Sequence, residues 1–167
     1  MKVFLNCKGT ALLEFALILI SLILLSLGMI EFGLIAYDKQ VITNASREGA
    51  RWAIVNPSKE PYRTTSSVEG VVQEYWTKNK LITFGSGNPT SSIKDVVSNT
   101  VLNTGPGPTG SGENVCTIAT SDKDILVEVT YQYEFLIFDS IVNLLGGSQN
   151  NTFSISGSTI MRCEAPS

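Results

Sequence analysis

Side chains that could carry out chemistry are sparse in this chain. It contains no histidine, which removes the nucleophilic triads that use an imidazole base and the commonest ligand of transition metals. Asp122 and Asp124 could contribute to a calcium site, but further oxygen ligands would have to converge from elsewhere. We favour a turn with solvated charges there. We therefore predict no catalytic residues, no metal and no cofactor, and we predict that the protein is not an enzyme.

The overall charge disfavours nucleic-acid binding. The formal net charge is -3, from 12 basic and 15 acidic side chains, and the basic residues form no cluster. A protein that binds nucleic acid needs a dense cationic surface to neutralise phosphates. The sequence therefore predicts no nucleic-acid partner, and its apolar residues are concentrated near the N-terminus instead.

One carboxylate lies in that apolar region. Glu14 is the only charged residue in the range 11–30, and about 20 apolar residues in a helix span the hydrocarbon core of a membrane. A carboxylate at the end of such a helix is costly and usually has a partner. Lys2 and Lys8 precede the segment, which predicts a cytoplasmic N-terminus and an extracytoplasmic C-terminal part. The alternative is a buried core helix, which a run of this length disfavours.

Three kinds of export signal compete at this N-terminus. A cleavable secretory signal could end at residues 26–28, although its apolar core would be long and would begin at Glu14. A lipoprotein signal at Cys7 is rejected, because almost nothing apolar precedes it and Asn6 is not a small residue. The third is a short basic leader, a glycine, four residues and a glutamate, from Gly9 to Phe15. This pattern is similar to the processing site of type IV prepilins, and we favour it.

Further stretches resemble the TadE family of Tad-type pilus proteins. They are residues 14–17, which read Glu-Phe-Ala-Leu, residues 28–33, which contain Glu-Phe-Gly, and residues 43–51, which end in Ser-Arg-Glu-Gly-Ala-Arg. The resemblance covers about residues 9–55 and is only general beyond them. The combination of these three stretches with the glycine-to-glutamate spacing is quite specific.

The resemblance implies processing by a membrane-bound prepilin peptidase. The cut would lie between Gly9 and Thr10, so that Glu14 becomes the fifth mature residue and is followed by Phe15. The Glu14 carboxylate would then meet the N-terminal amine of a neighbouring subunit. The alternative is that Glu14 lies among lipid headgroups near Lys8 and has no such role.

The resemblance also implies a function. It indicates a minor pilin or pseudopilin in the assembly or adhesion of a Tad-type (tight adherence) pilus, with other pilin-like subunits as partners. The length of the chain favours a minor component, since the major pilins of that system are usually much shorter. The expected location is the bacterial inner membrane, in a single pass, with incorporation into a surface pilus. The alternatives are a pseudopilin of another type IV filament or secretion system, and a signal-anchored extracytoplasmic binding domain that never enters a filament.

Three cysteines are present. Cleavage after Gly9 would remove Cys7 and leave Cys116 and Cys163 on the exported side, where disulfides persist. We predict a Cys116–Cys163 disulfide worth about 2–4 kcal/mol. The alternative is two reduced, buried thiols.

A single helix is predicted from Thr10 to about Val55, because no proline occurs before Pro57. Small residues recur every four positions in its second half and are predicted to pack on the protein's own sheet, with a subunit contact as the alternative. Glu48 and Arg51 are spaced to form an ion pair. A predicted apolar stripe contains Leu34, Val41, Ala45, Gly49 and Trp52. The candidate positions for helix packing or assembly are Glu31, Gly33, Ala45, Arg47, Glu48, Gly49, Arg51 and Ala53.

Patterns in the rest of the chain predict two further helices. One begins at Ser66, where residues 66–69 fit a capping box. The other covers 92–102, with branched apolar residues at helical spacing. Proline and glycine at 56–65, 85–89 and 105–112 indicate loops.

The last third of the chain is predicted to form a sheet. Residues 125–135 alternate apolar and polar side chains, 153–161 have a similar apolar face, and 115–120 give a third strand. The apolar stretch 136–145 is predicted to cap the core, or alternatively to contact a partner or the membrane surface. The predicted class is α+β: a long N-terminal helix and an exported head with short helices and an antiparallel sheet of three to four strands. Its predicted parts are a leader (1–9), a transmembrane segment (10–36), an extracytoplasmic continuation of the helix (37–56) and the head (57–167).

Overall fold

A computed structural model gives the fold of the chain. It describes residues 7–55, 64–79, 81–82, 87–96, 101–104, 115–118, 124–135, 143 and 152–163. Within them lie three helices, α1 (Cys7–Ile54), α2 (Thr65–Lys78) and α3 (Val115–Ile118), and four strands, β1 (Thr90–Asp95), β2 (Val101–Thr104), β3 (Asp124–Glu134) and β4 (Thr152–Arg162). A long apolar helix beside an antiparallel sheet confirms the predicted α+β class.

Helix α1 runs without interruption for 48 residues, which is about 72 Å at 1.5 Å per residue. Its first half is exposed, and its buried residues, which pack on the head, all lie in the second half. The elements that α1 contacts most are α2, β3 and β4. Two serines in the apolar half bond to the helix itself: Ser21 Oγ donates to the carbonyl of Ile18 at 2.8 Å and Ser26 Oγ to that of Leu22 at 2.9 Å. The apolar half therefore leaves neither hydroxyl without an acceptor, as a lipid environment requires.

Helix α2 begins one residue earlier than predicted, with a different cap. Thr64 is the N-cap residue, and its Oγ1 accepts the backbone N–H of Ser67 at 3.2 Å. The predicted capping box at 66–69 is therefore wrong, because Thr64 is the N-cap residue and Ser66 already lies inside the helix. The helix buries Val68 and Val72 against the rest of the head.

The sheet has the strand order β2-β1-β3-β4, with antiparallel neighbours throughout. Strand β3 is central and buries alternate residues, among them Val127, Val129 and Tyr131. That face meets Ile42, Ala45 and the other buried residues of α1. The core therefore lies between one face of the sheet and the second half of α1, and the period-two predictions for 125–135 and 153–161 agree with the observed strands.

Two elements predicted from the sequence have a different structure. The helix predicted at 92–102 is wrong where the structure describes that range: residues 92–95 belong to β1 and 101–102 to β2. Strand β1 pairs with β3, so that Ile93 lies opposite Val127 and is buried. Valine and isoleucine suit a pleated surface better than a helix, and hydrogen bonding to the long strand β3 stabilises the extended conformation of β1. The segment predicted as a strand at 115–120 begins with the short helix α3. Of the predicted apolar stripe, Val41, Ala45 and Gly49 are buried, whereas 37% of the surface of Trp52 is exposed.

Some predictions concern residues outside the described parts of the chain. They are most of the leader, most of the loop at 56–65, the glycine-rich loop at 105–112, Asp122 and nearly all of the apolar stretch 136–145.

Candidate functional site: the N-terminal helix and its junction with the head

The apolar half of α1 is exposed along its length. Phe15 is 64% exposed, Leu22 59% and Ile30 56%, and none of the most apolar window of this helix is buried inside the protein. A core helix of a water-soluble domain would be covered by other elements. Helix α1 is therefore a candidate membrane span by length, composition and exposure, consistent with single-pass anchoring.

Gly9 and Glu14 lie on this exposed part of the helix. Among the described residues, nothing beyond the local helix backbone lies within 4 Å of the position that a Cβ on Gly9 would occupy. Glu14 and Phe15 are both exposed. Within the described residues, Glu14 has no hydrogen-bond or ion-pair partner. A carboxylate within a membrane-spanning helix would favour a partner from outside the chain.

The small residues of the second half of α1 are covered by the chain itself. Ala45 and Ala53 are buried, and a Cβ on Gly49 would meet side chains of Val72, Val127 and Val68. These positions therefore form the contact of α1 with α2 and β3. Gly33, in contrast, is exposed with open space around it.

The charged residues of the same stretch lie on the outer face of α1. Arg47, Glu48 and Arg51 are exposed, and Arg47 Nη1 donates to Asn44 Oδ1 at 3.5 Å. The predicted Glu48–Arg51 ion pair is not formed among the described residues, where the ion pairs are Lys94–Glu128 at 2.7 Å and Arg162–Asp124 at 4.0 Å. This outer face remains accessible to a second molecule.

Two carboxylates of α1 point into the head at its junction with the apolar half. Glu31 is 1% exposed and Asp38 is fully buried. Asp38 Oδ1 accepts the backbone N–H of Ile82 at 3.0 Å, which ties the chain after α2 to α1. Glu31 was a candidate from its place in the sequence, whereas Asp38 was missed. The available signal was spacing, since residues seven apart lie on the same helix face.

Two buried tyrosines of β3 share this environment. Burial raises the pKa of Tyr133 to about 12, and the nearby carboxylates of Glu31 and Asp38 act in the same direction. Burial and the Asp38 carboxylate also raise the pKa of Tyr131. The hydroxyls of both tyrosines lack a hydrogen-bond partner within the described residues. The junction is therefore a buried polar layer in which negative charge is unfavourable.

Asp38 makes the stability of the head depend on pH. Burial raises its pKa from 3.8 to about 6, and the hydrogen bond from Ile82 opposes part of that increase. Because the folded state favours the protonated acid, the stabilisation is complete below about pH 4 and is lost as the pH rises through about 6. We expect Asp38→Asn, which keeps an acceptor for Ile82, to abolish this decrease of the unfolding free energy with pH. The decrease amounts to at most about 3 kcal/mol. Denaturant unfolding between pH 4 and pH 8 measures it.

Glu48→Gln is the matched control, because it neutralises an exposed carboxylate of the same helix. Its unfolding free energy should follow the wild-type pH profile. Equal pH profiles for the wild type and Asp38→Asn would contradict the assignment to Asp38.

Cys116 and Cys163 are joined by a disulfide across 47 residues, with their Cα atoms 5.8 Å apart. Both are buried, and Cys116 Sγ lies 3.4 Å from the carbonyl oxygen of Ala53. Since a sulfur in a disulfide carries no hydrogen, this is a packing contact. The bond links α3 and the end of β4 beside the end of α1.

Comparison with known proteins connects these features to one family. Residues 9–51 match the family model described as TadE-like protein, as the sequence resemblance predicted. The matched range contains Gly9, Glu14, the exposed apolar helix and both junction carboxylates. No curated protein and no solved structure gives a match. The matched range is 43 of the 167 residues, so the similarity is that of the N-terminal helix and not of the head.

Proposed function

We propose that this chain, with its TadE-like helix, is a minor pilin or pseudopilin-like subunit that acts in the assembly or adhesion of a Tad-type pilus. The observation that carries the proposal is the family match over residues 9–51. The structure adds support, because an exposed apolar helix continues without a break into a folded head.

Assembly would begin with removal of the leader. A prepilin peptidase would hydrolyse the bond between Gly9 and Thr10, which gives Thr10 a free amine and leaves Glu14 four residues further on. The exposed Glu14 carboxylate would pair with the amine of a neighbouring subunit, and this removes the cost of an unpaired charge in an apolar setting.

The rest of the apolar half would supply the surface for assembly. Its side chains contact lipid when the subunit is in the membrane and contact other helices when it is in a filament. Because lipid is as apolar as these side chains, replacing lipid contacts with helix contacts is favourable only if the helices pack closely. Gly28 and Gly33 have open space around them and would let a neighbouring helix approach. The proposed partners are therefore the membrane, the peptidase and other pilin-like subunits of the Tad machinery.

The proposed orientation follows from charge. Lys2 and Lys8 are basic and precede the apolar segment, which favours a cytoplasmic N-terminus and an extracytoplasmic head. A disulfide between Cys116 and Cys163 agrees with an oxidising compartment for the head.

Two alternatives share part of this architecture. A pseudopilin of another type IV filament or secretion system would have the same processing site and helix, and only the filament that it joins differs. A signal-anchored binding domain would have the same span, but it would keep residues 1–9 and would not need Glu14. A biochemical experiment on the chain itself can distinguish the signal-anchored domain from the proposed pilin-like subunit.

The test is to recover the chain from its native membrane and from sheared surface filaments. We expect the intact mass to lack residues 1–9 and two thiol hydrogens, with reduction restoring only the hydrogens. We expect Glu14→Ala to be processed and inserted, but to fall about tenfold or more in the filament fraction, equivalent to about 1.4 kcal/mol.

Glu48→Ala is the matched control, since Glu48 is an exposed carboxylate on the same helix. It should enter filaments at the wild-type level. A chain that retains residues 1–9, with Glu14→Ala indistinguishable from wild type, would instead establish the signal-anchored domain.

A further inference from the structure

The end of the head next to the apolar half of α1 can be located from contacts between α1 and β4. Gly157 lies against the backbone of Thr43, and Ser46 Oγ and Thr159 Oγ1 are 2.8 Å apart. Lys39 Nζ donates to the carbonyl of Ser156. Residue numbers increase together in both elements, so β4 runs parallel to α1 and its N-terminal end is nearest to the membrane span.

These contacts also give a scale of height along α1. From Gly157 to Thr159 the strand advances two residues while α1 advances three, from Thr43 to Ser46. Phe153 precedes Gly157 by four residues, which places it about six helix residues below Thr43, near Tyr37. Phe153 is therefore about 9 Å above Glu31, at 1.5 Å per helix residue.

Helix α2 reaches the same height from the other side. Its residues Val68 and Val72 flank Gly49, higher on α1, and the Tyr37 hydroxyl donates to the carbonyl of Asn79 at 2.9 Å. Helix α2 thus descends antiparallel to α1. Its last residue, the exposed Lys78, directly precedes Asn79 and therefore lies near the height of Tyr37.

Exposed aromatic side chains are found at this height. Phe32 is 72% exposed, Phe153 50% and Tyr37 41%. Between Phe32 and Tyr37 around the helix, the head covers Glu31 and Asp38. The lipid-facing surface of α1 therefore continues upward beside the head, whose lower edge carries an exposed phenylalanine and a lysine.

We propose that an interfacial rim, formed by Phe32, Tyr37, Lys78 and Phe153, rests in the headgroup layer of the bilayer. Each leaflet has a polar layer about 5–8 Å thick outside the hydrocarbon core. Aromatic rings favour that layer, and a lysine extends its ammonium toward lipid phosphates from there. The inference rests on the membrane anchoring of the proposed function, and it adds that the bilayer surface is itself a binding partner of the head.

The rim has a consequence for the orientation of the head. A helix through the bilayer leaves the head free to tilt, whereas a second contact through Phe153 and Lys78 restricts that tilt. The exposed side of α1 with Arg47, Glu48 and Arg51 is then held at a fixed height, available to a neighbouring subunit.

The test is depth-dependent quenching of tryptophan fluorescence in the full chain. The protein is reconstituted into phosphatidylcholine vesicles with lipids brominated near the top of the acyl chain. The reporters are Phe153→Trp and its matched control Ile160→Trp, since Ile160 is an exposed apolar residue of the same strand (58%). By the scale above, the two differ in height by about 16 Å. The wild-type chain supplies the background from Trp52 and Trp76.

We expect Phe153→Trp to be quenched at least about twofold more than Ile160→Trp, because bromine lies within reach of the interface only. Tyr37→Trp is a second reporter at the rim and should agree with Phe153→Trp. Equal quenching of the rim reporters and Ile160→Trp would overturn the rim.

A third reporter separates this inference from the anchoring on which it rests. Leu22→Trp, in the middle of the apolar half, should be quenched by lipids brominated near the chain ends. If Leu22→Trp is quenched and the rim reporters are not, only the rim is wrong. If Leu22→Trp is not quenched, the membrane span is wrong and the rim falls with it.

Discussion

Replacing Gly157 with alanine is expected to destabilise the head by about 3 kcal/mol or more. A Cβ at this position would lie 2.9 Å from the Cα of Thr43, 3.0 Å from its nitrogen and 3.1 Å from the carbonyl carbon of Ile42. All three are backbone atoms of α1, so no side-chain rotation relieves the overlap. Helix and sheet must move apart, which loosens the contact between α1 and β4 in the core.

The measurement is denaturant unfolding of the detergent-solubilised chain. Gly70→Ala is the matched control, because Gly70 lies on the exposed side of α2 with no atom within 4 Å of an added Cβ. It should stabilise α2 by about 0.5–1 kcal/mol through helix propensity. If Gly157→Ala were as stable as Gly70→Ala, the close approach of α1 and β4 would be wrong.

Replacing Gly9 with leucine is expected to leave the leader on essentially every chain. Peptidases that remove leader segments require small residues next to the bond that they cut, and a leucine side chain would occupy that space. The substitution meets no obstacle among the described residues, since nothing beyond the local helix backbone lies within 4 Å of a Cβ on Gly9. Loss of processing would therefore reflect recognition by the peptidase and not unfolding. Intact mass of the membrane-extracted chain measures it.

Gly28→Leu is the control, and it also tests the rival cleavage site at residues 26–28. Gly28 is on the same helix and has the same open surroundings as Gly9. The prepilin interpretation expects Gly28→Leu to be processed like wild type. The opposite pattern, with Gly28→Leu uncut and Gly9→Leu cut normally, would identify a secretory signal instead.

Elements with a long, regular pattern were predictable from the sequence. An apolar run without proline leaves a helix as the favoured form of residues 7–54, and strict alternation over 125–135 suits only a half-buried strand. In both cases the local pattern and the tertiary contacts favour the same structure. The residues that carry the family match are likewise contiguous in sequence.

Short elements were not predictable, because distant partners decide them. The apolar residues of 92–102 fit a helix as well as a strand, and pairing of Ile93 with Val127 across more than 30 residues selects the strand. Residues 115–118 form a single helical turn, in which Cys116 is bonded to Cys163 and contacts Ala53. Both partners are distant in sequence, so the residues around Cys116 alone do not predict the turn.

The junction carboxylates show the same limit within the functional helix. Glu31 lies inside a stretch that resembles the family, so the sequence drew attention to it. Asp38 has an ordinary polar neighbourhood in the sequence, and its burial depends on β3 and on the Ile82 backbone. Spacing places both acids on one face of α1, but only the packing of the head shows that this face is the inner one.

The parallel course of α1 and β4 determines how the protein would carry mechanical load. Because α1 is unbroken, axial tension on its apolar half would reach the head without passing through a hinge. The load would enter β4 along its own direction and pass to β3 through eleven paired residues. A pull of that direction shears the whole ladder of hydrogen bonds at once and does not peel them one by one. The head would therefore be strongest along the axis on which a fibre is stretched, and weaker to a pull across its sheet.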